Sequence, residues 1–158
     1  LFLVVGPLQF STSFRRRHPR WHRRAGWVFV VCGLMLGVSG VWMNHNFPAV
    51  GGVMKFVSTS LFGVGLLVTL AVAMVFVVRG DLARHRVWMI RAFGIGLAPA
   101  TQRVLMIPVF LTLGYVTALI IDVGMTLGWL LNVSIAEWII RRRSPRAQRL
   151  REHDPRSP

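Results

Sequence analysis

The sequence predicts an all-α fold: a polytopic transmembrane helix bundle with four complete spans and part of a fifth at the N-terminus. Three observations carry that prediction. Hydrophobic residues make up 54% of the chain and the mean hydropathy is +0.56, too apolar for a soluble domain of 158 residues. Apolar runs of about eighteen residues or more recur along the chain, long enough to cross a hydrocarbon core. The basic residues gather at the ends of those runs: six arginines in residues 15–24, four in 79–91 and seven in 141–156. These are seventeen of the nineteen basic residues, and the two exceptions are Lys55 and Arg103.

The elements follow in order. Residues 1–14 read as the end of a truncated transmembrane helix, broken at Gly6-Pro7, so the chain is expected to lack at least half a helix at its start. Residues 15–140 form the four-helix transmembrane domain. Within it, Pro19 suits a first helical position, where its missing N–H would have no intrahelical partner anyway. The first complete span is 26–43, and a turn-rich connector, 44–52, leads to the second at 56–78, which holds no ionisable residue. Asp81 then suits the N-cap of a helix starting at Leu82. The third span is 87–108, with Pro108 and Gly114 bracketing the turn, and the fourth is 117–140. Gly33-x-x-x-Gly37 and Gly124-x-x-x-Gly128 give two smooth faces for close helix packing, within one chain or between two. Residues 141–158 read as a basic, disordered cytoplasmic tail.

Counting crossings orients the chain. Two spans separate the first basic block from the second, and two more separate the second from the third, so all three share one side. The positive-inside rule makes that side the cytoplasm, in a multi-pass protein of the cytoplasmic membrane with its C-terminus inside. Trp21, Trp27, Trp88 and Trp138 fall near the same interface, as an aromatic belt would place them. Because each basic block abuts a span, the expected partners are anionic lipid headgroups, with a second copy or other membrane subunits beside them and no nucleic acid. The single Cys32 excludes a disulfide framework and a cysteine-based zinc motif.

Charges inside spans are costly, and so are read as paired or functional. If the third and fourth spans form a hairpin turning near Leu113, one register sets Arg103 level with Asp122 and Arg91 level with Glu137. The preferred reading is two structural salt bridges; the sharper one is a polar pathway for protons or a small solute.

His22 and His85 stand at helix entries on the cytoplasmic side, separated by one intervening span. Two facing imidazoles can hold a haem iron. Interfacial histidines bonded to headgroups or loop carbonyls are the plainer and preferred reading. A zinc site from His18, His22 and His85 is weaker, since no nearby acid would orient the rings. There is no nucleophile–base pair, phosphate-cradling loop or carboxylate dyad, so no residue is assigned a catalytic role; a non-enzymatic protein is the preferred reading, with the enzyme question left open.

Gly6-Pro-Leu-Gln-Phe10, Arg17-His-Pro-Arg-Trp-His-Arg-Arg-Ala-Gly26 and Asp81-Leu-Ala-Arg-His-Arg-Val-Trp-Met-Ile-Arg91 form an ordered set. Over roughly residues 1–108 they resemble the bacterial predicted membrane proteins of domain-of-unknown-function family 2306. His22-Arg23, Gly26, His85-Arg86, Trp88-Met89 and Arg91 match its pattern, whereas Gln102 in Thr101-Gln-Arg103 and Trp27 after Gly26 depart from it. The resemblance implies a membrane protein of uncharacterised activity. Its helix-entry histidines look loosely like those of cytochrome b and ferric-reductase-type proteins, by analogy only.

The functional expectation is an integral membrane protein with a cytoplasm-facing polar site organised by His22, His85, Arg91 and Arg103. Arg23, Arg86, Trp88, Asp122 and Glu137 complete the candidate set. The alternatives are a haem b electron-transfer or reductase component with His22 and His85 as axial ligands, and a small transporter or proton-coupled subunit using Arg103 and Asp122.

Overall fold

The computed structural model of the protein describes residues 17–47 and 52–142. They form four α-helices and no strand: α1 (Pro19–Asn46), α2 (Val53–Val78), α3 (Leu82–Leu113) and α4 (Ala118–Arg142). All four are long and apolar enough to cross a membrane. The expected partial helix of residues 1–14 and nearly all of the basic tail lie outside the described residues.

Local chemistry sets the helix ends. Pro19 opens α1 as expected. Asp81 caps α3, its Oδ1 accepting the backbone N–H of Arg84 at 2.9 Å. Thr117 does the same for α4, its Oγ1 accepting from Ile120 N–H at 3.3 Å. One expected boundary is wrong. Pro108 does not end the third helix, which runs through both Pro99 and Pro108 and stops at Leu113. The terminator is Gly114, whose φ of 68° belongs to the left-handed region and whose N–H bonds back to Phe110 at 2.9 Å. A proline removes only one rung of the hydrogen-bond ladder, and helices in lipid absorb that loss where the flanking turns hold.

Successive helices run antiparallel. Asn44 at the end of α1 bonds to Phe56 at the start of α2, and His85 at the start of α3 bonds to Ala73 near the end of α2. Arg91 on α3 meets Glu137 near the end of α4. One end of the bundle therefore collects the arginine-rich start of α1, the α2–α3 loop and the close of α4. We call it the arginine-rich end, and the other the far end. α1 packs on α2, α2 on α3 and α3 on α4; α2 also touches α4, while α1 meets α3 only lightly.

Polarity is inverted relative to a soluble bundle. Val57, Leu61, Val64, Val68 and Val75, at helical spacing on α2, are exposed. Asn44, Ser58, Thr69, Gln102, Asp122 and Asn132 are buried. Hydrocarbon solvates apolar side chains as well as a core does, so small residues and interhelical hydrogen bonds decide which faces meet. Both glycine pairs are used within the chain. A Cβ on Gly37 would stand 2.8 Å from Leu67 and 3.4 Å from the Gly63 carbonyl, and one on Gly128 would stand 2.5 Å from Gln102. The large apolar core, Phe29, Val30, Leu66, Leu70, Ala73, Met89 and Ala92, lies toward the arginine-rich end, and Phe29 meets Phe93 there with ring centroids 6.1 Å apart.

Candidate functional site

The polar residues singled out from the sequence fall into two groups. At the arginine-rich end, Arg91 forks onto Glu137, Nε donating to Oε1 at 2.5 Å and Nη2 to Oε2 at 3.2 Å. Its guanidinium also lies over the Trp88 ring, 4.8 Å from the centroid. The expected Arg91–Glu137 pair therefore forms, and it ties α3 to α4. His85 is half-buried, and its Nδ1 lies 2.7 Å from the Ala73 carbonyl oxygen. A carbonyl can only accept, so Nδ1 is the donor in this contact. His22 is half-buried one turn into α1, Arg23 is exposed and Arg86 half-buried. Among the described residues no three His, Cys, Asp or Glu side chains come together as a metal site requires, so His18, His22 and His85 do not make the zinc group considered above.

Arg103 does not belong to this end. It lies twelve positions beyond Arg91 on the same helix (103 − 91 = 12), about 18 Å at 1.5 Å per residue. Nor does it pair with Asp122, contrary to the expected register. Asp122 is buried, and its Oδ1 accepts the backbone N–H of Gly52 at 2.7 Å. Gly52 is the N-cap of α2, so the carboxylate sits at the positive end of a neighbouring helix, which stabilises both. Arg103 is exposed, and its Nη1 donates to the Pro99 carbonyl at 3.4 Å.

The start of α2 is held from two sides. Asn44 of α1 donates through Nδ2 to the Phe56 carbonyl at 2.9 Å and to Ser60 Oγ at 3.1 Å, and its Oδ1 accepts from Lys55 Nζ at 3.1 Å. On the other side, Thr126 of α4 donates to Ser58 Oγ at 3.2 Å. Gln102 of α3 donates to the Met125 carbonyl of α4 at 2.7 Å. The departure at Gln102 is thus a polar tether between helices.

Beside this network the bundle opens. A cavity of about 600 Å³ lies between α1 and α3 with α2 as its floor, lined by Gly37, Gly40, Phe62, Leu66, Ile95 and Trp129 and, at its polar end, by Asn44, Lys55, Gln102 and Arg103. A second cleft of about 490 Å³ adjoins it toward the far end and shares Lys55, Arg103, Met106 and Met125. Among the described residues, no acidic side chain lines either one. α1 and α3 touch only lightly, and Gly40 leaves room beside the cavity: a Cβ there would meet nothing within 4 Å.

The family model described as "Predicted membrane protein (DUF2306)" matches residues 1–140. The chain belongs to that family. The match reaches beyond the 1–108 stretch that carries the resemblance and takes in α4, so both ends of the Arg91–Glu137 pair and both walls of the cavity lie inside the DUF2306 region. No curated protein and no solved structure matches the chain significantly. Sequence reasoning missed Asn44 and Gln102 as parts of a site. Lys55 and Arg103 did carry a signal: they are the two basic residues outside the three arginine blocks.

Proposed function

We propose that this membrane protein acts as a binding protein for a small amphipathic molecule, held in the cavity between α1 and α3. The observation that carries the proposal is the cavity itself, about 600 Å³ with apolar walls and a few polar groups at one end. That size and lining fit small-molecule sites, which span roughly 300–1,000 Å³. No catalytic role is assigned to any residue. Arg103 keeps the functional part that the transporter alternative gave it, while Asp122 becomes a structural cap.

By the positive-inside rule the arginine-rich end faces the cytoplasm against anionic headgroups, the C-terminus is inside, and the cavity opens in the outer half of a cytoplasmic membrane. Topology reporters at residue 51 and after Arg141 test this. A cytoplasmic signal from the second alone is expected; one from residue 51 overturns the orientation. The binding role is tested by extracting wild type and Gly40→Leu from lipid nanodiscs and identifying retained amphiphiles by mass spectrometry. One species should be enriched in wild type and lost in the variant, whose new side chain enters open space. Identical retained sets defeat the proposal.

A second reading, a haem b protein with His22 and His85 as axial ligands, is favoured by one observation. The Nδ1 contact to the Ala73 carbonyl orients the His85 ring through a backbone acceptor and leaves Nε2 outside that contact, as haem-ligating histidines are held. Packing opposes it: two turns deeper on α1, Phe29 is 1% exposed and contacts Phe93, filling the space where α1 and α3 face each other. An optical spectrum, oxidised and then reduced with dithionite, separates the readings. A Soret band lost in His85→Ala supports haem; a colourless protein expressed with haem supplied ends that reading.

A further inference from the structure

We infer that the cavity takes an anionic amphiphile of one hydrocarbon chain, its carboxylate or phosphate head held by Lys55 and Arg103; this rests on the binding role proposed above. Both cations line both clefts, at the junction between them. Each has donors to spare. Lys55 uses one of its three ammonium hydrogens on Asn44, and the guanidinium of Arg103 spends one of five on the Pro99 carbonyl. The carboxylate at this end, Asp122, is occupied by the Gly52 N–H, and among the described residues neither cation forms an ion pair. Positive charge near hydrocarbon without a counter-charge is costly, and an anionic head supplies one.

The lysine is aimed. Both Nδ2 contacts of Asn44 go to the α2 backbone and Ser60, which turns its Oδ1 toward Lys55 and makes Asn44 a positioning residue for the ammonium. From the cations the lining continues along α2 through Thr59, Phe62 and Gly63 to Leu66, about 16 Å for eleven residues (66 − 55 = 11) at 1.5 Å each. Gly37, Gly40 and Gly96 border it and leave the length of the slot clear of side chains at those positions. Trp129 lines it too and gives a reporter.

The experiment uses the whole protein in zwitterionic nanodiscs and reads tryptophan quenching by chain-labelled nitroxide amphiphiles, with Trp129→Phe subtracted. Four probes share one labelled chain and differ in head: carboxylate, phosphate monoester, methyl ester and trimethylammonium. Saturable quenching is expected from the two anionic probes, about tenfold tighter than from the ester, as the loss of one charge-assisted hydrogen bond implies. Their order tells a fatty-acid-type ligand from a phosphate-headed one. Lys55→Met with Arg103→Met should erase the preference for anions, weakening the anionic probes about tenfold more than the ester, and Asn44→Leu should weaken anionic binding through the lysine. Equal affinity for all four probes overturns the anionic inference and leaves the binding role standing. No saturable quenching by any probe removes both.

Discussion

The two halves of the bundle differ in what fills the space between α1 and α3. Toward the arginine-rich end that space holds the large apolar core, with Phe29, Leu70, Ala73 and Ala92 at 1% exposure or less. Toward the far end it holds glycines, carboxamides, two cations and a cavity of about 600 Å³. The first half is built to hold the helices together and the second to leave room. Proteins keep binding sites on scaffolds whose rigidity is supplied elsewhere, and here the two duties are divided along the helix axis.

Removing the core ring should break the comparison most clearly. Phe29→Ala is expected to cost up to about 3–5 kcal/mol, at the low end because a released ring remains in lipid while the cavity it leaves stays. Unfolding by SDS titration in mixed micelles measures this, and a cost below that of any far-half substitution contradicts the assignment. Next comes the α3–α4 clasp. Arg91→Gln or Glu137→Gln should each lower stability by about 1–2 kcal/mol, between the surface and buried limits for a pair exposed by about a third. Swapping the two charges should recover part of the loss in the same titration.

Smallest is the far end. Asp122→Ala removes the acceptor for Gly52 N–H and should cost about 1 kcal/mol, as lost caps do. Exchanging Asp122 and Arg103 should rescue nothing, because the two do not meet. Arg103→Met should leave the unfolding curve unchanged or shift it slightly toward stability while altering ligand binding. A clear destabilisation would make Arg103 structural and erase the contrast between the halves.

How much of this was legible depends on the kind of signal. The four spans, the helix start at Pro19, the cap at Asp81 and the shared side of the arginine blocks follow from hydropathy, backbone chemistry and counting, which need no tertiary information. Arg91 and Glu137 were matched correctly because both project from one antiparallel hairpin, where depth alone fixes the partner. The same depth argument failed for Arg103 and Asp122. It compares two helices, and Asp122 was taken by a third, through the N–H of Gly52. Backbone donors at helix starts carry no charge in a sequence, so they are invisible competitors for a carboxylate. The cavity was equally hidden, since it arises from what glycines omit. Pro108 misled for a related reason: proline ends helices in water more readily than in a bundle whose neighbours hold the flanking turns.

The two prolines of α3 have a geometric consequence. Pro108 follows Pro99 by nine residues (108 − 99 = 9), two and a half turns at 3.6 residues each, so the interruptions point to opposite sides of the helix axis. Each favours a bend away from its missing rung, and bends half a revolution out of phase cancel in direction. α3 lies along α4 from Arg91 beside Glu137 to Gln102 beside Met125, across the first of its two prolines. The phase of the pair predicts that removing one proline alone turns the helix more than removing both.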